Sequence, residues 1–388
     1  MEQYTYVATC LFGLEHSVGE EIDALGYERI ETIDGRVTFR GDLSAAARCN
    51  LWLRTAERLF LLLGKCQAPT FDALFEGTKA MPWESFIGPD DAFPVSGHAV
   101  RSALFSIPDC QKIVKKAIVD RLSPIYGQTW FSEEGVRHPI EFFILNDEAS
   151  LMLDLSGTAL HKRGYRPRAG AAPLRETLAA AVAKIARPRE DVLFWDPFCG
   201  TGTIPIEAAL LMTNTAPGLF RQFAAEEYDD IPRDLFRLAR EEAADLRRPD
   251  TAFRARATDI DPAMKELAEA TVRAAGMERY VAVECRDALT IETGGVRGTI
   301  ACNPPYGERL LSKAEAAELY RRMGKHFAAL DRWQIYILSS EDTFERLYGR
   351  RADKTRRLYN GMLRCNLYQY FKNPDLTGKN DRKGRNLR

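Results

Sequence analysis

A polar and aromatic motif, Asn303-Pro304-Pro305-Tyr306, follows an apolar stretch at residues 299–302. The apolar stretch is predicted to be a buried strand, and open α/β sheets bind ligands where such strands end in loops. The chemistry suited to these residues is work on an exocyclic amine of a nucleobase. The Asn303 side-chain oxygen and the Pro304 carbonyl could accept the two amine hydrogens, and Tyr306 could stack on the base. A plain Pro-Pro turn with an aromatic lid is the structural alternative.

A second motif, at residues 196–203, joins a predicted strand at 192–195 to an apolar helix at 204–212. Its glycines would let the backbone approach a bound nucleoside, and the helix N-terminus favours an anionic group. Asp196 could pair with an ammonium group. S-adenosylmethionine carries an ammonium, a carboxylate and a sulfonium. It fits better than a dinucleotide, because Pro205 stands where the dinucleotide fingerprint requires a small residue.

Two further acids follow the next predicted strands, Asp259 after residues 253–258 and Asp287 after residues 281–285. An acid at the end of the second strand commonly binds ribose hydroxyls, and Asp287 is placed to accept a hydrogen bond from adenine N6. A helix N-cap is the competing role for Asp259. Asp261 is the better cap, because Pro262 follows it directly at the first helical position.

The elements around these motifs predict an α/β sheet from residue 173 onward. A charged, helix-prone insertion at 218–250 separates the glycine loop from Asp259, and Ser312 with Glu315 forms a capping box for a helix to about residue 330. Asn360-Gly361 between two strand-like segments is a strong hairpin signal. The sheet is therefore expected to end in an antiparallel hairpin.

The first 165 residues have an α+β pattern instead. Strands are predicted at 4–10, 36–40, 139–145 and 150–154, and helices at 17–24, at 43–50 and after Pro108. Ser17 with Glu20, and Ser106 with Asp109, have the spacing of capping boxes.

Two clusters of positive charge could contact RNA. Lys112, Lys115 and Lys116 share one helix face, opposite an apolar stripe. The connector 162–175 contains no acid and supplies further basic and aromatic candidates: Lys162, Arg163, Tyr165, Arg166 and Arg168. A solvated helix face and an exposed domain linker are the alternatives. We expect both clusters to form one basic track towards Tyr306.

Composition restricts the class of protein. A hydrophobic content of 45% and a charged content of 28% over 388 residues indicate a soluble globular protein of two or three domains. The eight cysteines contain no Cys-x-x-Cys pair, which favours reduced thiols in the cytoplasm and argues against a metal site. We expect no signal peptide and no membrane span. The net charge of −1 means that nucleic-acid binding must come from local patches.

These motifs resemble bacterial class I S-adenosylmethionine-dependent RNA methyltransferases with a ferredoxin-like segment, a THUMP domain and an Asn-Pro-Pro-Tyr motif. The best-known relatives of that family are large-subunit rRNA guanine-N2 methyltransferases. The matching segments are residues 74–79, 93–96, 161–166, 196–209 and 303–310. The resemblance implies a ferredoxin-like segment at 1–60, a THUMP domain at 61–165, a Rossmann-like methyltransferase domain at 166–375 and a basic tail at 376–388.

The resemblance also implies roles for individual residues. Asp196 and Gly200 would line the methionine side of the cofactor, Asp259 its ribose, and Asp287 its adenine. Asn303 to Tyr306 would hold the target base. The full set expected at the cofactor is Asp196, Phe198, Gly200, Gly202, Thr203, Asp259, Ile260, Asp287, Ala288 and Asn303.

The predicted function is methyl transfer to an exocyclic amine in structured RNA, with guanine N2 of large-subunit rRNA as the target and a monomeric enzyme. The same chemistry on tRNA or on adenine N6 stays open, and a nicotinamide-dependent oxidoreductase is a remote alternative. Carbon methylation of a pyrimidine would need a nucleophilic cysteine. Cys302 precedes Asn303 on a buried strand and is interpreted as a small core residue.

Overall fold

The computed structural model of the chain describes residues 2–166, 174–306 and 312–371. The chain groups into two compact units. The first contains Met1–Cys10, Glu15–Lys162 and Gly218–Asp245, and the second contains Leu11–Leu14, Arg163–Pro217 and Leu246–Arg388. Among the described helices, none is both long and apolar enough to cross a membrane.

The first unit is built on one seven-stranded sheet. Its strands are β1 (Tyr4–Cys10), β2 (Glu28–Ile33), β3 (Arg36–Gly41), β4 (Ala56–Gln67), β5 (Val95–Val100), β6 (Ile140–Leu145) and β7 (Glu148–Asp154). Their order is β2-β3-β1-β4-β7-β6-β5. The helices that precede residue 163 are α1 (Glu15–Ala24), α2 (Ser44–Trp52), α3 (Phe71–Lys79) and α4 (Ile107–Tyr126). Because β4 pairs with both β1 and β7, the segments on either side of residue 60 share a single sheet.

The second unit is an α/β sheet that ends in an antiparallel hairpin, as predicted. Its strands are β8 (Leu193–Asp196), β9 (Ala255–Asp259), β10 (Val281–Cys285), β11 (Gly298–Cys302), β12 (Trp333–Ser339), β13 (Lys354–Asn360) and β14 (Leu363–Tyr370). The order is β10-β9-β8-β11-β12-β14-β13, with parallel pairing from β10 to β12. The remaining helices are α5 (Glu176–Ala186), α6 (Thr203–Met212), α7 (Arg233–Asp245), α8 (Pro262–Ala274), α9 (Lys313–Ala328) and α10 (Phe344–Tyr348).

Residues 218–245, predicted as an insertion of the catalytic domain, belong to the first unit. Helix α7 packs against α2, where Glu242 accepts hydrogen bonds from the Arg48 guanidinium at 2.8 and 2.9 Å. The Tyr228 hydroxyl donates to the Asp154 carbonyl at 2.6 Å. These partners are far apart in the chain, which is why local pattern did not assign the segment to this unit.

Two of the three predicted capping boxes do not form. Helix α1 begins at Glu15, so Ser17 lies inside the helix and is buried. Ser106 does precede α4, but its hydroxyl bonds to the Asp109 carboxylate at 2.6 Å and makes no side-chain cap. The third box is confirmed: Ser312 accepts from the Glu315 N–H at 3.3 Å, and Glu315 accepts from the Ser312 N–H at 2.8 Å.

The core of the second unit forms under the strand that leads to the motif. All five residues of β11 are buried, and the strand lies between β8 and β12. Aromatic side chains from β8, α9 and β12 pack with it, including Trp195, Tyr320 and Trp333. This packing fixes the strand end from which Asn303 projects.

Candidate active site

The glycine loop begins at Asp196, whose carboxylate is almost fully buried. Its Oδ1 accepts a hydrogen bond from the Phe198 N–H at 3.0 Å. Burial raises the pKa of Asp196 well above its usual range, and the neighbouring Asp259 carboxylate raises it further. No ion pair among the described residues includes Asp196. A buried acid without a positive partner is suited to a cationic ligand.

Gly200 and Gly202 both have left-handed backbone angles, with φ of +51° and +78°. A Cβ on Gly200 would meet no atom within 4 Å, so this side of the loop faces open space. Gly202 is the N-cap of α6, whose first-turn N–H groups carry the positive end of the helix dipole. The loop therefore offers backbone donors to a ligand, which suits an anionic group.

Asp259 connects the glycine loop to the next strand. Its Oδ2 accepts from the Gly200 N–H and its Oδ1 from the Asp261 N–H, both at 3.0 Å. Asp261 caps α8 by accepting from the Ala263 N–H at 2.9 Å, as predicted. The helix-cap alternative for Asp259 is therefore wrong. Its contact with ribose stays a prediction.

The end of β10 completes this edge of the sheet. The Arg286 N–H donates to the Asp259 carbonyl at 2.8 Å, which holds the two strand ends together. Asp287 is half-buried, and its Oδ1 accepts from the Leu289 N–H at 2.9 Å. Ile260 is 68% exposed beside these acids, while Ala288 is buried. Ile260 thus presents an apolar surface at the same strand ends as Asp259.

Asn303 follows β11 on the same carboxyl edge. Its side-chain oxygen Oδ1 is buried and has no hydrogen-bond partner among the described residues. Most buried polar atoms in proteins are bonded, and an unpaired one costs about 1–3 kcal/mol. An unpaired buried acceptor at a strand end indicates a site for a donor that the described residues do not supply.

The rest of the motif is held by a hydrogen bond from helix α9. Pro304 is buried, and the Pro305 carbonyl accepts from the Tyr320 hydroxyl at 2.8 Å. Tyr306 is half-buried. Burial, with Cys365 beside its hydroxyl, raises the pKa of Tyr306 well above its usual range. The phenol is therefore neutral at physiological pH, and stacking of its ring on a base stays a prediction.

Two of the predicted cofactor residues have internal partners. The Thr203 hydroxyl accepts from Arg166 Nη2 at 2.8 Å and lies 3.1 Å from the Thr201 hydroxyl. Phe198 is half-buried and packs against the core around Trp195. Backbone N–H groups of the first α6 turn remain the donors that this segment can offer to a ligand.

The prediction that Arg163 and Tyr165 contact RNA is wrong. Both side chains are buried, with exposed fractions of 6% and 7%. The Arg163 Nε lies 3.4 Å from Glu207 Oε1, and the Tyr165 hydroxyl donates to the same oxygen at 2.9 Å. Glu207 projects from the otherwise apolar helix α6 and is buried. A buried acid is costly unless it is paired, and Arg163 and Tyr165 are its partners.

Arg166 also contacts the second unit's helix α5, where its Nη1 lies 3.3 Å from Glu176 Oε1. Lys162 is exposed, and Arg168 lies outside the described residues. Three described connector residues, Arg163, Tyr165 and Arg166, are therefore anchored to side chains of α5 and α6. Lys162 is the described connector residue that remains available to RNA.

The lysine face of α4 is only partly free. Lys112 and Lys116 are exposed, while Lys115 is half-buried. Lys112 lies 3.4 Å from Asp109, and Lys115 pairs with Glu133 and covers the Phe93 ring. The opposite stripe is buried as predicted, at Cys110, Val114, Ala117 and Ile118. The face is thus not free of acids, because Glu133 is brought to it from another segment.

Sequence reasoning missed Tyr320 and Glu207. Tyr320 lies on the buried stripe of α9, with Ala316, Met323 and Phe327. A hydroxyl on an otherwise apolar buried face indicates a hydrogen-bond partner. Glu207 is an acid in an otherwise apolar helix. Both signals were visible, but their partners lie 15 or more residues away and cannot be read from local spacing.

These donors and acceptors fit S-adenosylmethionine. Asp196 suits an ammonium, the N-terminus of α6 suits a carboxylate, and Asp259 and Asp287 retain acceptor capacity for hydroxyl and amine hydrogens. Within the described part of the chain, no three His, Cys, Asp or Glu side chains cluster as metal ligands. All eight cysteines are free thiols.

Comparison with known proteins gives the family. Residues 163–369 match the RMKL-like methyltransferase domain, residues 5–60 the RlmL ferredoxin-like domain, and residues 68–154 the THUMP domain. The putative RNA methyltransferase YpsC of Bacillus subtilis is 45% identical, over 96% of this chain and 97% of that protein. The crystal structure of SMU.472, a putative methyltransferase complexed with SAH, has a TM-score of 0.89 and 38% identity, over 96% of this chain and 98% of that one.

A third relative is the ribosomal RNA large subunit methyltransferase K/L of Desulfotalea psychrophila, which is 30% identical over 94% of this chain. The alignment covers 52% of that relative. The chain thus spans about half the length of this K/L relative.

Proposed function

The chain belongs to the RMKL-like methyltransferase family and uses S-adenosylmethionine, and we propose that it methylates an exocyclic base amine in large-subunit ribosomal RNA, at guanine N2. The cofactor supplies an electrophilic methyl group. The protein then has to bring a weakly nucleophilic amine to it in the correct orientation, which is catalysis by positioning.

The observation that carries this proposal is the buried oxygen of Asn303, for which no residue in the described part of the chain is a hydrogen-bond partner. An exocyclic amine is a poor nucleophile because its lone pair is delocalised into the ring. A hydrogen bond from the amine to Asn303 Oδ1, with a second to the Pro304 carbonyl, favours the pyramidal geometry in which that lone pair can attack. The acceptors are preorganised, so little reorganisation is needed during transfer.

Proline rigidity and one distant hydroxyl support this arrangement. Pro304 and Pro305 have fixed φ angles, and the hydrogen bond from Tyr320 holds the Pro305 carbonyl. Tyr306 is the stacking surface for the target base. No general base is needed before attack, because the amine loses its proton to solvent after methylation.

At the cofactor, each acid has one role. Asp196 binds the ammonium, Asp259 the ribose hydroxyls and Asp287 the adenine N6. Ile260 covers one face of the adenine, beside Ala288. Gly200, Gly202 and the first turn of α6, with Thr203, face the methionine end beside Phe198.

Amine chemistry is favoured over carbon methylation by the state of Cys302. The thiol is completely buried, and burial, with the Asp196 carboxylate, raises its pKa well above the usual range. A neutral, buried thiol is a poor nucleophile. The prediction that Cys302 is a core residue is confirmed.

RNA as the substrate is supported by the THUMP match and by the K/L relative. Lys112, Lys116 and Lys162 are exposed and serve as phosphate contacts. Lys115 contacts phosphate only when its ion pair with Glu133 opens. The free thiols support a location in the reducing cytoplasm. There the enzyme works as a monomer without a metal. The oxidoreductase alternative is set aside, because the family is one of methyltransferases.

The test is methyl transfer in vitro to large-subunit rRNA purified from a strain that lacks the gene. Nucleoside digestion should yield N2-methylguanosine with the wild-type protein and none with Asn303→Ala. N6-methyladenosine, or methylation of tRNA alone, would replace guanine N2 of rRNA by one of the two related alternatives.

A further inference from the structure

The hairpin formed by β13 and β14 projects beyond the edge of the sheet. The pairing between β12 and β14 ends at Ser339 opposite Asn366. The two hairpin strands continue for three further pairs, at Cys365, Arg364 and Leu363, to the turn at Gly361. Three pairs extend about 10 Å. Since Ser339 ends a strand parallel to β11, the arm projects from the edge that carries Asn303.

The hairpin from which the arm extends is positively charged along β13. Residues 354–370 contain no acid, and their basic residues are Lys354, Arg356, Arg357 and Arg364. Arg364 pairs with Asp342. The other three take part in no ion pair among the described residues. Arg357 lies level with Ser339 at the base of the arm, and Arg356 and Lys354 lie further back along β13, beside the sheet. This strip of positive charge leads to the arm and is complementary to a phosphate backbone.

The tip of the arm is apolar. Met362 is 96% exposed, and Phe12 is 51% exposed with its ring edge-on to Tyr359 at 5.7 Å. Gly13, at φ +88°, lets that segment lie against β13, because a Cβ there would stand 2.6 Å from the Arg357 carbonyl. The aromatic pair is thus held against the arm by backbone packing.

Edge strands often carry Lys or Arg to prevent pairing with other chains, and this could explain the charges on β13. It does not explain the turn. Asn360 pairs with Leu363, so Gly361 and Met362 form a two-residue turn. Such a turn needs no apolar residue, yet a methionine that is 96% exposed occupies it, at the edge of the sheet that carries Asn303. At its base the arm also meets the site, because Cys365 lies beside the Tyr306 hydroxyl.

We propose that the whole hairpin, residues 354–370, together with Phe12, binds the RNA strand next to the target nucleotide, and that Met362 at the tip of the arm enters the base stack there. The inference rests on the proposed function. A base must leave its stack to reach Asn303, and apolar side chains inserted between bases stabilise such distortions in other nucleic-acid complexes. The basic side chains of β13 contact the flanking phosphates.

The charges are tested with the triple variant Lys354→Ala, Arg356→Ala, Arg357→Ala in the full chain. The probe is deproteinised large-subunit rRNA from a strain that lacks the gene. RNA affinity should fall, and the slope of log affinity against log salt should flatten by about 2, at 0.7–0.9 per phosphate contact. Binding of S-adenosylhomocysteine should not change.

The matched control replaces Arg279, Arg297 and Arg332, which precede β10, β11 and β12 and so mark the opposite edge of the sheet. Their side chains are 55–66% exposed. This control should retain the wild-type salt slope. Equal slopes for the two triple variants and the wild type would overturn RNA binding by the arm.

Met362 is tested by Met362→Ala, with Val296→Ala as the control, because Val296 is also exposed and precedes β11 at the opposite edge. The turnover at saturating rRNA should fall about tenfold in Met362→Ala, with little change in RNA affinity. Unchanged turnover, or a loss of affinity alone, would overturn the insertion of Met362. If the wild-type protein itself transfers no methyl group to RNA, the proposed function has failed instead.

Discussion

The hydroxyl of Tyr320, on helix α9, donates a hydrogen bond of 2.8 Å to the carbonyl oxygen of Pro305. Burial raises the pKa of Tyr320 to about 12, so the hydroxyl keeps the proton that it donates. One carbonyl of the Asn-Pro-Pro-Tyr loop is therefore fixed by the protein. The Asn303 side-chain oxygen, two residues earlier, is buried and has no partner in residues 2–166, 174–306 and 312–371. This contrast separates the part of the loop that is anchored from the part that is available to a substrate.

Tyr320→Phe should lower turnover about tenfold, because the loop loses its anchor and Asn303 loses its orientation. Tyr320 acts through the loop, so the affinity for S-adenosylhomocysteine should stay at the wild-type value. Methyl-transfer kinetics with saturating rRNA and calorimetry with S-adenosylhomocysteine measure the two effects. Wild-type turnover in Tyr320→Phe would show that the hydrogen bond does not position the loop.

Asp259→Ala should weaken S-adenosylmethionine binding by about 1–3 kcal/mol, the range for groups left unpaired. The variant removes the proposed ribose acceptor and also the partner of the Gly200 N–H. Asp259→Asn is the matched control, since one side-chain oxygen remains for Gly200. Calorimetry should place its affinity between those of the wild type and Asp259→Ala. A normal affinity in Asp259→Ala, with only a lower Tm, would leave the carboxylate a purely structural role.

Asp196→Asn should raise the Tm of the ligand-free protein at pH 8 and weaken binding of S-adenosylhomocysteine. The folded pKa of Asp196 is raised, so the stability that protonated Asp196 contributes is lost as pH rises through that pKa. An uncharged amide avoids this loss but cannot pair with an ammonium. The Tm difference should therefore shrink towards acid pH, where wild-type Asp196 is protonated.

Thermal unfolding with and without S-adenosylhomocysteine, from pH 5 to pH 8, measures both parts of this prediction. The account of Asp196 would be contradicted by a lower Tm for Asp196→Asn at pH 8 together with unchanged ligand affinity.

Arg163→Ala should destabilise the protein by about 3–5 kcal/mol, because it leaves the buried Glu207 carboxylate without its cation. Lys162→Ala, at the exposed neighbouring position, should leave the Tm unchanged. Denaturant unfolding measures the difference. A normal Tm for Arg163→Ala with reduced RNA affinity would instead restore Arg163 as an RNA contact.

The sequence predicted those features that depend on neighbouring residues. The hairpin at Asn360-Gly361, the cap at Asp261 and the capping box at Ser312 are confirmed because each needs only a few adjacent residues. The turn itself lies one residue later than predicted, at Gly361 and Met362, because Asn360 pairs with Leu363. Ser17 shows the limit of such patterns: its spacing to Glu20 is correct, but the helix begins earlier, at Glu15.

The features that the sequence did not predict depend on distant partners. Arg163 and Tyr165 were interpreted as an exposed basic connector because the acid that pairs with them, Glu207, lies more than 40 residues away. In the same way, Tyr228 joins the first unit through Asp154, 74 residues earlier in the chain. Composition counts charges along the chain, whereas burial is decided by contacts across it.

Mass spectrometry of rRNA and tRNA nucleosides from a strain that lacks the gene tests the central claim most directly. The account predicts that large-subunit rRNA loses one N2-methylguanosine, that the wild-type gene restores it, and that the gene for Asn303→Ala does not. An unchanged set of nucleosides, or the loss of a carbon-methylated pyrimidine in its place, would contradict methyl transfer to an exocyclic amine at Asn303.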